Sequence, residues 1–343
     1  MSRLAEGLAQ CDAEVEVLSL NPRKHRGIVS APVPIRAIDV DTSRLFAWSA
    51  GFSRWTLHRA PLVVARFISR EFRDALLETL ARFKPDVVQV ESPFMMPYAS
   101  FASDARVVLR SLNVEFRIWE GLARIERNPF RQLALRSVAS SLRRYEVQQL
   151  NRVDAIVPIT SADADDYRAL GCTKPIHVVP CGVVVPARTI EPEPNTVGFI
   201  GALDYRPNQH AVRWILDELQ PRIREAKLTV AGVHEKVEDA NAFMQRMSVM
   251  IAPLFAGGGM RIKVLEALAL GRPVVATTLG AGGIDVRDLV IADDVESFAN
   301  AVLRLLRDPA EAARLGNAAR ESVATRYDNV TLARGLLQFY ESL

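Results

Sequence analysis

The feature that most constrains this chain is an alternation that runs through it twice. Short apolar runs rich in β-branched residues, VEVLSL (15–20), DVVQV (86–90), RVVLR (106–110), DAIVPI (154–159) and IHVVP (176–180), read as buried strands. Segments such as 61–83 and 128–150 between them place apolar residues at helical spacing. The order restarts with TVGFIG (196–201), KLTVAG (227–232), SVMIAPL (248–254), RPVVAT (272–277) and LVIA (289–292). Strands alternating with helices imply parallel sheets with right-handed crossovers. The expected fold class is therefore α/β, two doubly wound parallel-sheet domains facing each other across a cleft. PARTIEPEPN (186–195), Pro-rich and polar, reads as the linker. Domains are expected over 1–185 and from 196 onward.

Two places are shorter than such domains usually require. The chain opens on a helical pattern, SRLAEGLAQC, without a strand and glycine turn ahead of it. VAGVHEKVEDANAFM (230–244) leaves little room between strand and helix. The function classes that composition excludes are few but clear. No apolar run approaches the ~18–20 residues that cross a bilayer. The N-terminus lacks the apolar core of a signal peptide. Cys11, Cys172 and Cys181 are scattered and odd in number, which fits a reducing cytoplasm better than a disulfide scaffold. The net charge of +3 does not by itself point to nucleic acid, but it is unevenly spread. Residues 1–185 carry 25 Lys/Arg against 20 Asp/Glu, the remainder 18 against 20, so the first half is the one expected to meet something anionic.

APLFAGGGMRIKVLEALALGRPVVAT (252–277) holds the densest chemical signal. A strand ends at Gly257, Gly258 and Gly259; a helix follows and stops at Gly271, with Pro273 just beyond. Three glycines let a backbone approach a ligand, and the free N–H groups of a helix start favour phosphate. Arg261 and Lys263 sit where cations oppose the helix dipole, an arrangement that a bound anion relieves. Glu266 lies about a turn further on, where a carboxylate can accept hydrogen bonds from a ribose diol.

GGGMRIKVLEALALGRPVVAT resembles the nucleotide-sugar signature of the family 4 retaining glycosyltransferases of the GT-B fold. PDVVQVESPFMMPYA (85–99), the stretch 109–146 and ITSADADDYRALGC…VVPCGV (159–183) resemble that family's acceptor-side half, in order. VGFIGALDYRPNQHAVRW (197–214) is similar to the opening of its donor half, here 196–326. RYDNVTLARGLLQFY (326–340) is similar to its closing helix, which implies that 327–343 crosses back to the first domain. The resemblance implies two Rossmann-like domains and retaining transfer of a sugar from a nucleotide-diphosphate donor, with no metal and no cofactor. Carried over, Glu266 holds the donor ribose. The amides from Gly257 to Met260, with Arg261 and Lys263, neutralise the diphosphate; Gly201, Arg206 and Asn208 add donor contacts; Asn113 and Glu115 face the reacting sugar. The chain departs from the pattern at Gly258, where many relatives carry the first acid of Glu-x7-Glu, and at Leu112, where a His often precedes the Asn. Ala202 and Asn208 stand where some relatives carry a basic pair.

Residues 43–73 hold six arginines against one acid, interleaved with Phe46, Trp48, Phe52, Trp55, Phe67 and Phe72. Such a segment suits either a membrane interface holding a lipid-linked acceptor, through Arg54, Arg59 and Arg66, or a helix pair whose aromatics pack inward. Lys24, in the basic loop NPRKHRG, is a further acceptor-side candidate. The five histidines show no ligand spacing, and Glu146 reads as an ion-pair partner of Arg143 or Arg124. The expected partners are a nucleotide sugar and a glycan or lipid-linked acceptor at the inner face of the cell membrane, without nucleic acid. The alternatives are a non-catalytic sugar-nucleotide-binding or scaffold protein and a sugar-nucleotide epimerase of the same fold.

Overall fold

The computed structural model describes residues 2–22, 33–40, 61–234, 236–256 and 259–343. The chain divides into two compact units, Met1–Pro180 with Val330–Leu343, and Cys181–Asn329.

In the first unit, helix α1 (Ser2–Gln10) leads into strand β1 (Val17–Pro22), which pairs in parallel with β2 (Ile35–Val40). A second parallel ladder joins β3 (Val87–Glu91), β4 (Arg106–Ser111) and β5 (Ala155–Pro158) in that order. Burial on both faces of β4 explains its unbroken apolar run, the pattern of a parallel strand covered from both sides. The apolar stripe of α1, Leu4 and Leu8, packs with Val108, Ala155 and Val157 of the sheet. Ala333 and Leu336 of α12 (Asn329–Glu341) complete that cluster, so the last helix belongs to the core of the first unit.

The helical stretch 61–83 is two helices, α2 (Leu62–Ala65) and α3 (Arg70–Phe83). Ser69 breaks them apart: its hydroxyl accepts the Phe72 N–H at 3.2 Å and starts α3, while its own N–H goes to the Tyr98 hydroxyl at 2.7 Å. Two strand expectations need correction. IHVVP (176–180) runs beside β5, with His177 N–H on Ile156 O at 3.1 Å, but forms only an isolated bridge. Pro158 of β5 has no N–H to return to this run, although its carbonyl still accepts the Val179 N–H at 3.0 Å. Conversely IRAIDV (35–40) is a strand that its short, polar-interrupted pattern hides. The first unit continues through α4 (Glu115–Ile125), α5 (Pro129–Leu150) and α6 (Ser161–Ala169).

The second unit is one parallel sheet of β6 (Thr196–Phe199), β7 (Lys227–Val230), β8 (Val249–Ala252), β9 (Val274–Ala276) and β10 (Val290–Ile291), ordered β10-β9-β8-β6-β7. Its helices are α7 (Arg206–Trp214), α8 (Ala240–Arg246), α9 (Ile262–Ala269), α10 (Val295–Arg307) and α11 (Pro309–Arg326). Phe199, Ile215, Val249, Ile251, Val275 and Phe298 are among the residues filling its core. The stretch 186–195 is strapped to this unit: Arg272 donates to Ile190 O at 3.2 Å, Arg320 to Pro186 O, and Glu193 N–H to Arg246 O at 2.8 Å. The short passage after β7 closes on itself, with His234 Nδ1 accepting the Val230 N–H at 3.1 Å. No helix among the described residues is long and apolar enough to cross a membrane.

Candidate functional site

The order β10-β9-β8-β6-β7 reverses direction at β8 and β6, and both strands end at loops carrying the glycines singled out above. Ligands of open parallel sheets bind outside the carboxyl ends of their strands, beside such a switch point. After β8 the chain re-enters the described residues at Gly259, whose φ of 68° lies in the left-handed region that favours glycine. Met260 is buried, and Arg261 starts α9 without a side-chain cap. The first amides of that helix therefore have no side-chain acceptor from the N-cap position. Lys263 reaches along the first turn to Glu266, Nζ to Oε2 2.8 Å; the carboxylate is 8% exposed and the ammonium is on the surface. That pair fixes the carboxylate one turn inside the helix while a cation remains beside the helix start.

After β6, a Cβ on Gly201 would lie 2.7 Å from Asn208 Nδ2, so a larger residue there would displace that side chain. Asn208 donates that amide nitrogen to Ala202 O at 2.9 Å and thereby shapes the loop. Arg206 is the exposed first residue of α7. Tyr205, at the N-cap of α7, is the residue that the sequence reading missed. Arg261 hydrogen-bonds to it, and burial pushes the guanidinium below its ordinary value against the upward pull of that contact. One side chain thus ties the β6 loop to the β8 loop. His210 is exposed on α7, edge-on to Phe255 with ring centroids 5.6 Å apart. Gly257 and Gly258 lie outside the described residues.

In the first unit, Asn113 and Glu115 stand where β4 gives way to α4. Ser111 donates its hydroxyl to Asn113 O at 2.7 Å and sits 2.5 Å from the Tyr167 hydroxyl, which holds the turn in place. Val114, the N-cap of α4, has no capping oxygen. The cap comes from another helix: Glu146 of α5 accepts the Phe116 N–H at 2.9 Å and the Glu115 N–H at 3.3 Å. This corrects the expectation that Glu146 pairs with Arg143 or Arg124. It is 1% exposed and turned to the α4 amides, and Arg143 instead lies over the Phe116 ring at 5.9 Å.

Three carboxyls meet at this helix start. Burial raises Glu115 to about 7, and Asp163 adds to the rise. Burial raises Glu146 to about 8, with the α4 amides pulling down and Glu115 and Asp163 pushing up. Asp163 is raised by burial although it bonds Thr160, at 2.7 Å from that hydroxyl, and the Val114 amide. The group therefore keeps a proton at pH 7. Among the described residues no cluster of His, Cys, Asp or Glu is arranged to hold a metal ion.

Of the basic and aromatic segment, Lys24, Arg54 and Arg59 lie outside the described residues. Arg66 is exposed, its guanidinium 5.2 Å from the Phe67 ring centroid. Phe67 stacks on Phe94 at 5.4 Å and Phe72 is buried against Tyr98 at 4.7 Å, so these two aromatics pack inward.

Comparison with known proteins follows the same division. Residues 1–182 match the family described as glycosyl transferase 4-like domain, and residues 194–308 match that described as glycosyl transferases group 1. A phosphatidyl-myo-inositol mannosyltransferase of Mycobacterium leprae (strain TN) is 36% identical over 115 residues, 32% of this chain. The match spans 30% of that relative's length. The sucrose-phosphate synthase of Thermosynechococcus elongatus superposes with a TM-score of 0.68 at 17% identity, covering 99% of this chain and 91% of that one. HepE of Anabaena, solved with UDP and glucose, gives 0.66 at 14% identity, covering 100% and 96%. At such identities the likeness establishes the fold, two Rossmann-like domains of the GT-B class.

Proposed function

The chain belongs to the group 1 glycosyltransferases with a 4-like first domain, and we propose that it moves a hexosyl group, with retention, from a nucleotide-diphosphate sugar to an acceptor in polysaccharide or cell-envelope glycan synthesis. The observation that carries this reading is the helix start at 259–266, where a glycine of positive φ, uncapped amides, Arg261 tied to Tyr205 and the Lys263–Glu266 pair are brought together. Glu266 takes the ribose hydroxyls. The amides from Gly257 to Met260, with Arg261 and Lys263, receive the diphosphate; Gly201, Arg206 and Asn208 line the β6 side.

In the reaction the bond from the anomeric carbon to the diphosphate oxygen breaks, and negative charge grows on the leaving group. Fixed N–H donors and cations aimed at that oxygen favour this change more than they favour the bound donor, which is what lowers the barrier. The acceptor oxygen forms its bond on the face that the diphosphate leaves, and its proton passes to the departing phosphate. Retention then needs no protein nucleophile. Asn113 and Glu115 attend the reacting sugar, Glu115 as a carboxyl whose raised value lets it hold or release a proton near neutrality. The support for UDP as the donor nucleotide is that HepE was solved with UDP and glucose. The acceptor is read as a lipid-linked glycan at the inner face of the cell membrane, approached through Lys24, Arg54, Arg59 and Arg66. The test is incubation with UDP-glucose and other nucleotide sugars, followed by NMR of the product. Nucleoside diphosphate release with an α-linked product from an α-linked donor supports the reading. A β-linked product overturns retention, and a modified donor without transfer indicates the epimerase.

A further inference from the structure

Glu146 is a buried titratable group that the reaction as written does not use. Helix α4 begins without a local cap, and a helix start left unpaired in a protein interior is costly, so something must take its amides. Glu146 does so from helix α5, thirty residues away in sequence, with both carboxylate oxygens: Oε1 on the Phe116 N–H at 2.9 Å and Oε2 on the Glu115 N–H at 3.3 Å. The residue held by Oε2 is Glu115 itself. The turn just before it is held separately, by Ser111 on Asn113 O and by Asp163 on the Val114 amide.

We propose that Glu146 is a positioning residue, a cap supplied by another helix that sets the orientation of Glu115 and Asn113 at the reacting sugar. The inference rests on the transfer reading above for its consequence, and on the hydrogen-bond geometry alone for the clamp. The acid is well suited to this task. Its two oxygens meet two successive amides, and with the proton that burial keeps on it the hydroxyl oxygen still has a lone pair to accept with, which the NH2 of a glutamine does not. Its charged and titratable neighbours are Glu115 from α4, Asp163 and Tyr167 from α6, and Tyr145 from its own helix. None of these is a cation. An ordinary surface ion pair, the reading its sequence context first suggests, would leave the α4 amides unclamped.

The test compares Glu146→Gln and Glu146→Ala with the parent, using hydrogen exchange of residues 113–118 and steady-state kinetics with the donor that the parent accepts. Gln keeps one acceptor oxygen, so it retains most of the clamp; Ala removes it. Expected for Glu146→Ala are faster exchange confined to 113–118, kcat lower by ~100-fold, as a displacement of about 1 Å produces, and donor KM within twofold. Glu146→Gln is expected to recover at least tenfold of that loss in kcat. Parent-like exchange across β3, β4 and β5 of the first unit shows that either variant is folded, and where Ala does not fold, Gln decides, with faster exchange than the parent expected at Glu115 or Phe116, whichever amide faces its NH2 group. The proposal is overturned if folded Glu146→Ala keeps the parent kcat, if exchange at 113–118 is unchanged in both variants, or if Gln is as damaging as Ala. Should the parent transfer nothing from any donor, the transfer reading fails, while the exchange experiment still decides whether Glu146 clamps α4.

Discussion

Raising the pH from 6 to 9 should destabilise the first unit substantially, because burial holds Glu115 at about 7 and Glu146 at about 8, both from an ordinary value of 4.5. An acid whose folded pKa is raised keeps its proton in the folded chain after the unfolded chain has lost it. Its stabilising contribution is complete below the unfolded value and is lost as pH rises through the folded value. For Glu146 the loss between pH 6 and 9 is about 2.7 kcal/mol, and for Glu115 about 1.4 kcal/mol, at 1.36 kcal/mol per unit. The sum, about 4 kcal/mol, is a large share of the ~5–15 kcal/mol that holds a typical domain folded. The burial of His177 against Phe339 lowers its value and works in the opposite sense near pH 6. Urea unfolding followed by circular dichroism at pH 6 and pH 9 measures the difference. Glu146→Gln isolates its source: with the largest contributor removed, the loss should shrink to about 1–2 kcal/mol. A parent whose stability changes by less than 1 kcal/mol over this range, or a variant with the parent's full pH slope, would refute the reasoning.

Three further outcomes follow from the contacts. Tyr205→Phe, which removes the hydroxyl that Arg261 bonds, should weaken nucleotide binding several-fold, about 0.5–1.5 kcal/mol, by isothermal titration. Unchanged affinity would detach the β6 loop from the site. Ser69→Ala deletes the cap of α3 and should cost about 1 kcal/mol in urea unfolding, with catalytic rates unaltered. An Arg54/Arg59/Arg66 triple alanine variant should bind anionic vesicles less tightly than the parent in a sedimentation assay; equal binding removes the membrane role of this segment.

Much of the fold was legible because parallel strands buried on both faces leave continuous apolar runs, as in RVVLR and SVMIAPL. IRAIDV carried no such signal, since its polar residues sit on the half-exposed strand β2, and IHVVP looked like a strand because its own apolar content does not show that its neighbour β5 ends on Pro158, which lacks the next ladder donor. The helix start at 259–266 was readable from glycine spacing and charge. Its link to Tyr205 was not, because 56 residues separate that tyrosine from Arg261 and only the sheet order brings them together. Glu146 was misread for a similar reason. A carboxylate among arginines on a helix suggests an ion pair, and nothing local reveals that an uncapped helix start lies against it.

The central claim is that the helix start at 259–266 holds a nucleoside diphosphate through Glu266. It is tested most directly by thermal unfolding against UDP, GDP, ADP and CMP, with Glu266→Ala alongside. A ligand at ~100 times its Kd adds ~2.7 kcal/mol, which is a Tm rise of a few degrees for a domain of this size. The account predicts a rise with one nucleoside diphosphate that disappears in a folded Glu266→Ala variant. A rise of equal size in the variant, or none with any nucleotide, would contradict it.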